Sequence, residues 1–410
     1  MTDRTGIGDA DLSIGDRIRL HRNRAGLSQE EAAGLAGVSL SLWRKWEQAA
    51  RAVDSFRRLV DIAEALRVPD LRDLTGVPLP LSPGGEPRHE AVGPLRAALV
   101  RHPVTRPGPA PDVEVLSGRV HAAWTAWQSP TPWRYAQTGA VLPGLVEGVE
   151  SVMRADADRR RSARLGGAVY LLARSWTKQV GEYDLALLCA ERGLACAERT
   201  DDASLLAAAG WSMAQALSVR GDAAEARLVV ADCVEMVAAD AGSEHAGNEL
   251  LSAFGALHLI GMVAATRLDE TADAAELLRR AAVVAARVGE DRNDWWLAFG
   301  PTNIAIHRVH REVERGHSRT AIKTGAALVV ERAPTVERRV THRLDVAAAH
   351  TRLRDDVPAV HALLAAEVES PEQVVYSPRA RGVVRELVSR ESRGTRSLLR
   401  PLATRLGVLA

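Results

Sequence analysis

Residues 27–48 read LSQEEAAGLAGVSLSLWRKWEQ. Two short helical patterns meet at Gly37-Val38-Ser39, a join too tight for a loop of ordinary length. Ser28 is a natural N-cap, and Glu31, three positions on, completes a capping box. Gly37 can take the left-handed conformation that ends one helix before Ser39 starts the next. At about 100° per residue, Trp43 and Trp46 project together towards a core. Ser41, Arg44, Lys45 and Gln48 gather on the opposite side, with Leu40 at the edge. A core cannot use that polar face. A DNA major groove can, because it admits a helix whose leading residues reach base edges while arginine and lysine meet guanine or phosphate.

The same texture of five short helical patterns runs from Ile14 to about Gly76. Residues 14–51 hold seven arginines or lysines against four acids, with Arg17, Arg19, Arg22 and Arg24 crowding the first pattern. Four stretches carry a family likeness: RNRAGLSQEE from Arg22, AGVS from Ala36, KWEQ from Lys45 and IAEALRVP from Ile62. On these the segment resembles the XRE family, the Cro and repressor type of helix-turn-helix regulators. The resemblance implies that Gln29, opening the second helix, contacts DNA. It also implies that Ser39, Leu40, Ser41, Arg44 and Lys45 lead the recognition helix. Gln48, on the same polar face, and Arg51 are further candidate DNA contacts. An ion pair between Arg22 and Glu47 is implied as well. Two positions depart from the family pattern: the glycine that usually follows the glutamate is replaced near Ala49, and Trp43 stands where an aliphatic residue is usual.

Beyond Gly76 the texture changes. Nine of the 19 prolines fall between Pro78 and Pro111, so residues 77–111 read as a linker with a short helix near Glu90–Arg101. From Asp112 to the C-terminus the pattern is helical, without strand alternation. A polar turn followed by an alanine-rich amphipathic helix recurs from Gly181, Gly221, Leu268, Gly316 and Arg354, at intervals of 38–48 residues. Helix pairs at such spacing are the mark of an α-solenoid. The Gly-x-Tyr at Gly181–Tyr183 and the alanines at close contacts resemble tetratricopeptide repeats. The expected fold is therefore all-α. A helix-turn-helix domain of five helices (1–76) and the linker precede a tetratricopeptide-like solenoid (112–410).

Composition narrows the function. Net charge is +1 over 410 residues, so no chain-wide basic field advertises nucleic acid, and 46% apolar content supports a packed core. Only three of the 53 basic residues are lysines (Lys45, Lys178 and Lys323), a bias typical of high-GC bacterial genomes. Cys189, Cys196 and Cys233 sit in apolar helical patterns and read as buried thiols. The polar start MTDRTGIGDADLS is unlike a signal peptide, and the apolar stretch around Phe254–Ala265 is too short to span a bilayer, so a cytoplasmic protein without membrane contact is expected. No catalytic constellation, metal set or cofactor motif appears; His307 and His310 alone do not make a metal site. Gly300-Pro301 interrupts a helical stretch, after which Asn303 and His307 fall one turn apart near Trp295, Trp296 and Phe299. Asn303 and His307, with Trp211 and Gln215 and the similar pair Trp176 and Gln179, are candidates to line a ligand surface. The whole chain resembles the actinobacterial group that joins an XRE-type domain to a tetratricopeptide-like sensor. That resemblance implies a homodimeric transcriptional regulator which binds an operator in double-stranded DNA and senses a small molecule or peptide. The competing expectation is a DNA-tethered scaffold that holds a partner protein and senses nothing.

Overall fold

The computed structural model describes residues 13–66, 68, 71–75, 88–101, 110–155 and 158–409. The chain divides into two compact units, Met1–Gly85 and Glu86–Ala410. Among the described residues both are helical, and the only extended pairing is an isolated antiparallel bridge between Arg292 and Phe299.

The first unit contains α1 (Ile14–Arg24), α2 (Gln29–Leu35), α3 (Leu40–Glu47), α4 (Phe56–Leu66) and α5 (Arg72–Thr75). Capping boxes start the first two: Ser13 with Asp16, and Ser28 with Glu31. Gly37 stands at φ +64°, and the next residue, Val38, donates its N–H to the Ala33 carbonyl at 2.9 Å, closing α2 before Ser39 caps α3. The core gathers Ile18, Ala32, Ala33, Trp43, Trp46, Ile62, Leu66 and Leu74. Helices α1 and α3 cross so closely that a Cβ on Gly15 would collide with the Trp46 carbonyl oxygen.

The second unit begins with α6 (Val92–Arg101), α7 (Val113–Gln128) and α8 (Arg134–Ala155). Five helix pairs follow: α9 (Arg159–Gln179) with α10 (Tyr183–Ala197), α11 (Ala203–Arg220) with α12 (Ala223–Gly242), α13 (Asn248–Arg267) with α14 (Thr271–Val288), α15 (Pro301–Glu314) with α16 (Ser318–Ala326), and α17 (Val336–Arg352) with α18 (Asp356–Glu369). Helices α19 (Pro371–Tyr376), α20 (Pro378–Ser389) and α21 (Arg396–Arg405) end the chain. The first members of the pairs, α9, α11, α13, α15 and α17, each pack on the next, while their partners lie outside them. This is a helical-repeat solenoid.

One turn is used five times. Between the two helices of each pair a single residue is left-handed: Gly181 (φ +83°), Gly221 (+101°), Asp269 (+60°), Gly316 (+79°) and Arg354 (+59°). The residue after it donates its N–H to the carbonyl five positions back, at 2.8–3.1 Å: Glu182 to Thr177, Asp222 to Leu217, Glu270 to Ala265, His317 to Glu312, Asp355 to His350. A repeated local device thus sets the angle inside every pair.

Two findings depart from the expected organisation. Helix α6 lies inside the segment read as linker, yet Val92, Leu95 and Leu99 are buried in the same core as α8. They share one face at i, i+3 and i+7, and Pro94 stands in the first turn, where it costs no hydrogen bond. Residues 76–87 and 102–109 of that segment lie outside the described residues. Among the described residues α13 is the one helix long and apolar enough to cross a membrane, but 78% of its apolar window is buried inside the unit. It is a core helix.

The early and late ends of the second unit are clasped together. Arg134, fully buried at the start of α8, donates from Nε to Ser370 Oγ at 3.0 Å, from Nη2 to Gln373 Oε1 at 2.5 Å and from Nη1 to the Trp127 carbonyl at 2.7 Å. Its guanidinium lies 4.8 Å from the Trp127 ring and 4.9 Å from that of Tyr135. Glu372 accepts the backbone N–H groups of Tyr135 and Ala136 at 2.6 and 3.2 Å, and Tyr135 stacks on Tyr376 at 5.6 Å.

Candidate nucleic-acid interface and ligand cavity

Helix α3 is held from below. Trp43 and Trp46 are buried, edge to face at 6.2 Å, and anchor one side of the helix. Glu47, 3% exposed, accepts from Arg22 Nε at 2.6 Å and Nη2 at 3.2 Å, from Gln29 Nε2 at 2.7 Å and from Trp43 Nε1 at 2.8 Å. Burial works against this carboxylate. The hydrogen bonds from Arg22, Gln29 and Trp43, with the Arg22 charge, outweigh it and hold the acid below its ordinary value. With one side fixed, Ser41, Arg44, Lys45 and Gln48 are exposed on the other; Ser39 caps the helix and Leu40 is half-buried. Arg51 is exposed beyond the helix end, 3.9 Å from Asp54. Gln29 is engaged at both ends of its amide, since its Oε1 also accepts from Arg44 Nε at 3.3 Å. Gln29 therefore links the buried Glu47 to the exposed Arg44. Where the family pattern has glycine, Ala49 stands at φ +53°, a conformation that an L-residue adopts at a cost.

In the second unit the inner helices surround a cavity of about 280 Å³. It lies at the level of the C-terminal halves of α9, α11 and α13, the middle of α15 and the N-terminal half of α17, and α19 and α20 reach it from the clasp. Trp211, Gln215 and His307 line it. Asn303 does not: it is 2% exposed and a turn short of the cavity, which α15 meets only from Ile306 onward. The His307 ring closes back on the Asn303 carbonyl, with 2.9 Å to Nδ1. Of the other pair, Gln179 lines the cavity while Trp176 is core, its ring N–H given to the Tyr135 carbonyl. Trp295 and Trp296 lie elsewhere, in the lining of a separate pocket of about 420 Å³. Trp296 stacks on Trp124 at 4.5 Å, and Trp295 donates to Ser204 Oγ at 3.0 Å.

The polar groups of the cavity are mostly ones that pattern reading passes over. Lys178 Nζ lies 3.1 Å from Gln215 Oε1 and 3.5 Å from Glu337 Oε1, which also accepts from Gln179 at 2.8 Å. Burial lowers the Lys178 ammonium to about 8. It opposes the Glu337 carboxylate too, but Lys178, Arg338, Arg134 and Arg174 more than compensate and hold that acid at about 2. Burial pushes His307 down to about 3, and lowers His310 as well, beside Arg379; both rings are neutral near pH 7. His310 Nδ1 stands 3.0 Å from Asp345 Oδ2. One signal did mark the place: Lys178 is one of three lysines in a chain whose cations are otherwise arginine.

A family model described as a helix-turn-helix domain matches residues 13–74, so this segment is a helix-turn-helix domain, a class of DNA-binding unit. Among solved structures the chain is similar to PlcR of Bacillus thuringiensis, crystallised in complex with the peptide PapR7 and DNA. The identity is 14% and the TM-score 0.30, over 68% of this chain and 95% of that one. No curated protein sequence matches significantly.

Proposed function

We propose that the protein is a cytoplasmic, dimeric transcriptional regulator that reads DNA through α3 and changes its affinity when a small ligand occupies the cavity of the repeat unit. The observation that carries the reading is the one-sided anchoring of α3. Two tryptophans and a four-bonded glutamate fix its inner side, and Ser41, Arg44, Lys45 and Gln48 are left to solvent. A helix so held can enter a major groove without paying to order itself. The cavity, with polar and aromatic walls, supports the sensing half of the proposal.

The test begins with selection of bound duplexes from a random pool by the full chain. Arg44→Ala and Lys45→Ala should each weaken the selected site by about 1–3 kcal/mol where the lost contact is to a base. Fluorescence anisotropy across a salt series reads this. Wild-type affinity in both variants would overturn the role of α3.

A further inference from the structure

This inference rests on the sensor reading of the cavity and names its ligand class. Donors around the cavity outnumber acceptors. Gln215 Oε1 serves two cations at once, Arg174 Nη1 at 2.5 Å and Lys178 Nζ at 3.1 Å. Glu337 Oε1 likewise serves both Lys178 and Gln179. Arg174, 1% exposed behind the indole of Trp211, gives Nε to Ser212 Oγ at 2.9 Å, while its Nη2 has no acceptor among the described residues. Arg338 lines the cavity and has no hydrogen-bond or ion-pair partner among the described residues. The remaining cations are committed: Arg379 to Asp345 and Glu314, Arg267 to the Ser218 carbonyl.

Glu337 feels the Arg338 charge but accepts no hydrogen bond from it, so the guanidinium of Arg338 is left without an acceptor of its own among the described residues. The rest of the wall suits an uncharged body, since Trp211, Ile260, Val263, Leu344 and Tyr376 face the same space. We propose that the cavity binds an amphiphilic organic acid, a monoanion whose carboxylate pairs with Arg338 and whose planar or aliphatic part lies against Trp211. A planar guanidinium fork matches a carboxylate in two parallel hydrogen bonds, and a partly buried site raises the strength of each.

Naphthaleneacetate and its uncharged amide, naphthaleneacetamide, form a matched probe pair, titrated into the full chain by calorimetry. Wild type should bind the acid with one-to-one stoichiometry, about tenfold or more tighter than the amide. Arg338→Gln should abolish that preference by weakening the acid alone, and Arg338→Lys should restore part of it. Val263→Phe, which narrows the cavity, should weaken both probes; failure to do so places binding elsewhere and overturns the proposal. Thermal melts of each variant separate lost binding from lost folding. Equal affinity for the two probes, unaffected by Arg338→Gln, overturns the acid proposal and leaves the cavity as a ligand site. Failure of wild type to bind either probe overturns both the acid proposal and the sensor reading.

Discussion

Glu47 accepts four hydrogen bonds in the interior of the first unit, and each donor comes from a residue that shapes the reading surface. Glu47→Gln leaves Arg22 facing an amide and should cost about 2–4 kcal/mol, read from urea midpoints at pH 7. The acid's folded value is depressed, so its stabilisation is present above the ordinary glutamate range of about 4.3 and is lost as pH falls through the folded value. Wild type and Glu47→Gln should therefore converge in stability under acid conditions; a constant gap down to pH 2 would contradict the linkage. A neighbouring residue offers the opposite change. Ala49→Gly relieves a left-handed alanine and should raise stability by about 1 kcal/mol, visible as a higher melting temperature.

At the scale of elements, the repeat was legible because its marker is local. The polar turns read from sequence at Gly181, Gly221, Leu268, Gly316 and Arg354 fall on or beside the five left-handed residues, since a helix must end where its backbone reverses hand. Three of these positions are glycine, and two, Asp269 and Arg354, are not. Gly221→Ala should cost about 1 kcal/mol, whereas Arg354→Gly should gain a similar amount. Thermal denaturation of the pair checks this, and shifts of the same sign would show that the turns are not equivalent. Helix periodicity was less informative about the ligand candidates. It placed Asn303 and His307 on one face of α15 but gave no depth along the helix, and a single turn separates a cavity wall from a core position. The short helix expected near Glu90–Arg101 is α6, but proline density around it concealed that its stripe of Val92, Leu95 and Leu99 joins the core of the second unit.

At the scale of the molecule, the clasp between α8 and α19 left no trace in the sequence. Its partners Arg134, Ser370 and Gln373 are 236 and 239 positions apart, and no local pattern encodes such a meeting. The clasp alters how the second unit resists unfolding. Open arrays fray from their ends because each repeat touches only its neighbours. Here the two ends support one another, so hydrogen exchange should protect α8 and α18 to a similar degree, and Arg134→Met should make both exchange faster together. Fraying of one end alone in that variant would show the clasp to be incidental. Closure has a further consequence for the history of the chain. A linear stack gains or loses a repeat by duplication or deletion with little disturbance to the others. A stack whose first and last members grip each other has its copy number locked, because one added or removed pair would carry Arg134 away from Ser370. Drift in this protein is then confined to substitutions within a fixed count of repeats, and new length has to be accommodated in its turns.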